Sequence, residues 1–384
     1  MRLVRRAASL AVALVLLSLV GPAAADEIED GLAKINLPPG FAIEIYARIP
    51  NARSMAVVGH LGAVFVGSRV ADTVHVLTAR DNDFHIDNVR VFVRGLRMPN
   101  GIVFKYGWLY VVSQRRVIRF PVTLGKSDIS NAELLFEGLP GFSHHGWRYA
   151  AIGPDNMLYI AVGAPCNVCK TKGLEGTIVR MSLDGSAGPE IYASGIRNSV
   201  GIDFHPQSGE MYFTDNGADG MGDLIPPDEL NRAATAGLDF GFPRYGGGNI
   251  LPVRGAGRSI IGGEADPSPP PELTMPAMEF GAHAAALGIH FYRGNMFPAE
   301  YRGDAFVAQH GSWNRSEPFG YRIVRVRFDD EGNPASKTVF ADGWLQNGQA
   351  WGRPVDIKEL DDGSLLVSDD YAEVLYRIIY SKKP

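Results

Sequence analysis

Ala150-Ala-Ile-Gly-Pro-Asp-Asn-Met-Leu-Tyr-Ile160 decides the fold. Two short apolar runs flank Gly-Pro-Asp-Asn, residues that favour a turn by positive φ, fixed φ or side-chain-to-backbone hydrogen bonding. A third run carrying an arginine, Ile178-Val-Arg180-Met181, follows. The same unit recurs along the chain. Its second run appears as Ala63-Val-Phe65-Val, Trp108-Leu-Tyr110-Val, Met157-Leu-Tyr159-Ile, Glu210-Met-Tyr212-Phe, Asp304-Ala-Phe306-Val and Ser364-Leu-Leu366-Val. The central residues lie 45, 49, 53, 94 and 60 residues apart. Arginine-bearing third runs recur as Val117-Ile-Arg119-Phe, Ile323-Val-Arg325-Val and Leu375-Tyr-Arg377-Ile.

Strand, turn, strand, turn, strand at a period near ~50 residues is the pattern of a propeller blade, a small sheet that needs a neighbour on each face. The expected fold is all-β: a six-bladed β-propeller of four-stranded antiparallel blades. A β-sandwich with coincidental spacing is the alternative. Phe41-Ala-Ile-Glu-Ile-Tyr46 is a spare strand, expected to pair into the last blade and close the ring. The interval of 94 contains Pro226-Pro227, Gly246-Gly-Gly248 and Pro267-Ser-Pro-Pro-Pro271. Such composition suits a loop, so a long insertion over about 217–286 is expected between the fourth and fifth blades.

The 384 residues carry 37 Lys+Arg against 42 Asp+Glu, a net charge of -5, which argues against a nucleic-acid binder held by phosphate contacts. Residues 1–25 read as a secretory signal peptide: Arg2, Arg5 and Arg6, an apolar run over 7–20, then Ala23-Ala-Ala25. A retained anchor is the alternative, although the run is short of a full span. Residues 26–384 would then form one propeller domain without a later membrane span, periplasmic or secreted. Cys166 and Cys169 are the only cysteines. In an oxidising compartment the pair is expected to form a local disulfide. Lys170 stands where a haem attachment site needs His, and two thiols are too few for a closed zinc site.

In a propeller the loops entering the innermost strands ring one mouth of the central channel. Polar residues stand at those places: Arg53, Asn100, His144-His145-Gly-Trp-Arg148, Arg197-Asn198, His283 with His290 inside the strand, and Arg353. Several cations at one mouth of an acidic chain suit an anionic ligand. Asp215, Asp219, Asp223, Asp228 and Glu229 form an oxygen-rich, glycine-flexed stretch that suits Ca²⁺, or is simply solvated. It lacks EF-hand spacing, and there is no P-loop, dinucleotide fingerprint or nucleophile elbow. His144 is the expected proton acceptor, because imidazole is neutral and available near neutral pH.

These residues resemble the glucose/sorbosone dehydrogenase family, soluble six-bladed propellers that use pyrroloquinoline quinone (PQQ) and Ca²⁺. The likeness runs from about Leu37 to Tyr380. It is carried by His144-x-Gly-x-Arg148, Gly153-Pro-Asp155, Gly195-x-Arg197-Asn198, Gly201-x-x-Phe204, Asp228-Glu-Leu-Asn231, Asp239-Phe-Gly-Phe-Pro243 and Arg353. Ala164-Pro-Cys-Asn167, His310-Gly-Ser-Trp-Asn-Arg315 and Gly352-Arg-Pro-Val355 point to the sorbosone-dehydrogenase-like branch.

The resemblance implies oxidation of a sugar or sugar-derived aldehyde, with His144 as general base while hydride passes to the quinone. Arg197 and Asn198 would hydrogen-bond the quinone oxygens, and Arg353 would pair with a cofactor carboxylate. Asn100 and Arg148 would also border the cofactor. The carbonyls of Gly217 and Ala218 would hold a cofactor-bound Ca²⁺, and Glu229 with the Phe240 carbonyl a second one. Electrons would leave to a quinone or cytochrome. Two positions depart from the family. Ala164 stands where aldose-oxidising members have an Asp behind the histidine, and Gln309-His310-Gly311 where they have a Lys, leaving Arg315 or His310 as substitutes. A Ca²⁺-dependent sugar lactonase and a non-enzymatic ligand-binding propeller are the alternative readings.

Overall fold

The structure, a computed structural model, describes residues 28–79, 84–123, 126–127, 129–246 and 273–381. The signal-peptide stretch and residues 247–272 lie outside them. Six antiparallel sheets, each built on four strands, make up the fold, a six-bladed β-propeller. Blade one runs Ala52–Val58, Ala63–Ser68, Thr73–Thr78, Asn88–Arg94, and blade two Gly101–Lys105, Trp108–Val112, Arg116–Thr123, Glu133–Glu137. Blade three is Ala150–Ile152, Met157–Val162, Thr177–Ser182, Glu190–Ser194, with Leu238–Asp239 added in parallel at its edge. Blade five is Ala286–Phe291, Ala305–Gln309, Arg322–Phe328, Pro334–Ala341.

Blade six closes the ring. Pro354–Glu359, Leu365–Asp369 and Val374–Tyr380 come from the C-terminal part of the chain, and Phe41–Arg48 pairs antiparallel with the last of them, Phe41 opposite Tyr380. This removes two free strand edges at once. Phe41 also packs edge-on against Phe297, Tyr301 and Phe340, so the closing strand is held by rings as well as by its ladder.

The irregular interval differs from the expected insertion. Blade four is Ile202–Phe204, Met211–Asp215, Pro227–Ala233 and Met278–Ala282, so its outer half lies inside 217–286. Prolines mislead here because Pro227 opens its strand, where a missing N–H is tolerated.

The apolar core is six clusters, one between each pair of neighbouring blades. Strand alternation explains why the repeat runs are continuously apolar. Phe65 packs toward blade two while Val64 and Val66 pack toward blade six. A strand buried on both faces has no polar side. Among the described residues no helix is long and apolar enough to cross a membrane.

Candidate functional site

Antiparallel order fixes which loops meet. First strands run away from one face and second strands run back to it. Loops entering first strands and loops leaving second strands therefore share that face. A cavity of about 350 Å³ opens there, lined from the first set by Arg53, His144, His145, Arg197, Asn198 and Arg353. The second set supplies Arg69, Asn216, Gly217, Asp219, His310 and Asn314. Trp313, 76% exposed, stands at the rim.

Four guanidiniums reach this cavity, and their partners differ. Arg53 pairs with Asp370 at 2.9 Å, and Arg197 with Asp219 at 2.7 Å. Arg353 donates to the carbonyls of His310 and Gly311 (3.0 and 2.6 Å) and lies over the Tyr321 ring. Arg69 stacks on Trp147 with 4.0 Å to the ring centre, and its Nε is buried without a hydrogen-bond partner. Neither the Arg69 nor the Arg353 guanidinium is paired with a carboxylate among the described residues, although the Arg353 backbone N–H donates to Asp369 at 2.7 Å. Burial, with Arg53 nearby, pulls the Arg69 pKa down, as expected of a cation short of compensation.

Arg197 is held from every side. Its backbone N–H and that of Asn198 donate to the buried Asp215 carboxyl, 2.8 and 2.6 Å. Its Nε donates to the Asn167 carbonyl, Nη1 to the Asn216 carbonyl, and Nη2 to Asn167 Oδ1 and Asp219 Oδ2. Guanidinium has five N–H groups. Protein acceptors take all but one of them, so a ligand would meet a single, well-aimed donor.

The adjacent histidines have different surroundings. His144 is exposed, and its described ring contact is His145, 4.0 Å between centroids. His145 is buried, with Nδ1 2.9 Å from the Ala164 carbonyl. That contact makes Nδ1 the protonated nitrogen and leaves Nε2 an acceptor without a protein partner among the described residues. Burial, Arg197 and His144 together hold the His145 pKa well below the ordinary imidazole range. Its φ of 51° is left-handed, a strained conformation for a side chain with a β-carbon.

The remaining site residues expected from sequence are distributed as follows. Asn198, Gly217 and Arg353 line the cavity with His144 and Arg197. Asn100 and Arg148 stand behind the wall. Asn100 accepts from Arg53 Nε and donates to the Arg148 carbonyl. Arg148 is fully buried, donates to the carbonyls of His145 and Pro140, and burial lowers its pKa to about 9. Both support the loop that carries the histidines rather than facing a ligand.

Gly217, Ala218, Glu229 and Phe240 border a separate void of about 20 Å³ together with Asp215, room for one water-sized occupant. Among the described residues no group of three or more His, Cys, Asp or Glu is arranged to hold a metal ion. Any cation there would rely largely on backbone carbonyls beside the Glu229 carboxylate. Cys166 and Cys169 are disulfide-bonded, Cα atoms 6.1 Å apart.

Of the two substitutes for the missing Lys, Arg315 turns away to the Ala282 and Glu317 carbonyls. His310 lines the cavity and is bound to Asp370 at 2.7 Å. His283 reaches the cavity, whereas His290 sits between Asp203 and Glu359, at 3.6 and 3.5 Å. Arg69, Asn314 and Asp370 were not anticipated, and Asp219, expected in a calcium-binding stretch, instead pairs with Arg197. All lie in loops that leave second strands; a polar residue directly after the strand would have found Arg69 and Asp370, whereas Asp219 and Asn314 lie further along their loops.

Residues 106–377 match the family model described as glucose/sorbosone dehydrogenase. An uncharacterized protein of Borreliella burgdorferi is 35% identical over 374 residues, covering 94% of this chain and 93% of the relative. Among solved structures, a Trichoderma reesei carbohydrate-active enzyme of family AA12, in a calcium structure, aligns with TM-score 0.79 and 18% identity over 91% of this chain and 97% of its own. The PQQ domain of a Coprinopsis cinerea pyranose dehydrogenase aligns with TM-score 0.74, also at 18% identity, over 90% and 97%. The PQQ-bound aldose sugar dehydrogenase of Streptomyces coelicolor aligns with 0.62 at 17% identity over 90% and 100%. These structural likenesses bear on the fold alone.

Proposed function

Because the chain belongs to the glucose/sorbosone dehydrogenase family, we propose that it is a PQQ-dependent dehydrogenase oxidising a sugar or a sugar-derived aldehyde. The observation that carries this reading is one cavity lined by Arg69 and Arg353, whose guanidiniums pair with no carboxylate among the described residues, and by an imidazole poised as an acceptor. PQQ bears three carboxylates, so the donor set suits it. When bound, it supplies a two-electron acceptor for hydride from the carbon being oxidised.

The chain's own residues do the rest. Arg353 and Arg69 pair with ligand carboxylates, the arrangement in which charge-assisted hydrogen bonds are strongest. The one unused N–H of Arg197, with Asn198 beside it, would be available to hydrogen-bond a quinone oxygen. The general base is a histidine of the His144-His145 pair. His144 is the residue the family pattern marks, but the surroundings favour His145, whose Nδ1 is pinned and whose Nε2 is open. There the Ala164 carbonyl orients the ring in the way a carboxylate would, which compensates for the absent Asp. Nε2 would take the proton of the substrate hydroxyl, which for an aldehyde is that of its hydrate, while bound PQQ would supply the acceptor for the hydride, two electrons and two hydrogens in all.

Calcium, if it joins, would be held at the small void these residues share, by the Gly217 and Ala218 carbonyls on one side and by Glu229 with the Phe240 carbonyl on the other. The chain is exported by its N-terminal segment, and electrons pass to a quinone or cytochrome. Reconstitution tests the reading. Purified protein given PQQ and Ca²⁺ should reduce an artificial acceptor when aldoses or aldehydes are added. Turnover that persists without PQQ, or none with any sugar or aldehyde, would count against it.

A further inference from the structure

We propose that Asn167, held in the loop that the Cys166–Cys169 disulfide closes, is the positioning residue for the Arg197 guanidinium, and that reducing the disulfide dismantles this corner of the cavity. Asn167 spends its carbonyl and both ends of its side-chain amide on two neighbours. Its carbonyl accepts from Arg197 Nε at 2.9 Å, and Oδ1 accepts from Arg197 Nη2 and from the Asp219 N–H, both at 2.8 Å. Its Nδ2 donates to the Asp219 carbonyl at 2.9 Å. Asp219 in turn pairs with Arg197 and accepts from Asn314. One amide side chain therefore fixes both the guanidinium and the carboxylate that neutralises it.

The disulfide has a local reason to exist. Loop-closure stabilisation is least for the shortest loops, and this one spans a sequence separation of 3. Its consequence is to fix the backbone that presents Asn167. Val168, between the two half-cystines, is buried against Ala218 with Met221 alongside, so the loop docks on the segment bearing Asp219 through an apolar contact as well. That segment contains Gly217, Gly220 and Gly222 and has little rigidity of its own. Once the loop relaxes, the Arg197 guanidinium keeps only the Asn216 carbonyl and an Asp219 held by Asn314 alone.

Two measurements test this, and only the second rests on the PQQ reading. In ligand-free protein, amide hydrogen exchange of the 215–224 segment should quicken about tenfold in Asn167→Ala, in Cys166→Ser/Cys169→Ser and in reduced wild type, while exchange in the other blades stays unchanged. Affinity for PQQ should fall about tenfold in the same proteins, with no additional loss when Asn167→Ala is combined with Arg197→Ala. Unchanged exchange over 215–224 in Asn167→Ala overturns the proposal, as does full additivity with Arg197→Ala. If wild type binds no PQQ, the functional reading fails and the exchange measurement still decides the role of Asn167.

Discussion

The imidazoles of His144 and His145 nearly touch, yet only one is built into the wall. His145→Ala should lower kcat by about 10²–10⁴, the range for loss of a general base, and His144→Ala by less than about tenfold. Steady-state kinetics on both variants decides between them. The pH profile gives a second check. A base must be neutral, and burial depresses the folded pKa of His145, so kcat/KM should stay flat as pH falls through the ordinary imidazole value of about 6.5. An acid limb centred at or above that value contradicts the assignment.

His310 titrates in the same direction. Burial outweighs the pull of Asp370 and brings its pKa to about 4, with Arg353 and Arg53 adding repulsion. The unfolded chain thus binds a proton that the folded chain refuses between pH ~6.5 and that value. Stability contributed by neutral His310 is full above this window and lost as pH falls through it, by about 3 kcal/mol at most. Thermal melts should show a shallower acid loss in His310→Gln. Which histidine is pinned was beyond the sequence, because the pinning partner, the Ala164 carbonyl, belongs to the backbone and leaves no residue-type signature. Arg197 and Arg353 were legible because each lies in a loop entering a first strand. Arg69, closing a second one, was not.

Strands were the most readable level, since a run buried on both faces announces itself by unbroken apolarity. The closing strand was legible for a related reason: Phe41-Ala-Ile-Glu-Ile-Tyr46 had no partner in the repeat register. Its energetics follow from the rings around Phe41. Phe41→Ala should cost about 3 kcal/mol and lower the melting temperature measurably, with no change in the cavity residues. An unchanged melting temperature would mean that the ring closes without those contacts. Blade four was misread because turn-forming residues fill the connections on either side of Pro227–Ala233, and composition averaged over a long interval hides a seven-residue strand.

Taken whole, the molecule carries a net charge of -5 yet gathers four arginines around one cavity. Two are spent on Asp370 and Asp219, and two are left for a ligand. The exposed share of that attraction is screened by salt, so affinity for an anionic quinone should weaken between low and physiological ionic strength. Convergence of loops distant in sequence was foreseeable from the repeat, because closing a ring of blades brings like loops to one face. The division of charges between internal pairs and free cations was not, because it depends on which side chains reach each other across blades. Calorimetric titration of the purified protein with PQQ examines that division directly. One molecule should bind per chain, and Arg353→Ala and Arg69→Ala should each weaken binding about tenfold or more. Absence of a binding heat in wild type, or wild-type affinity in both variants, would contradict the account.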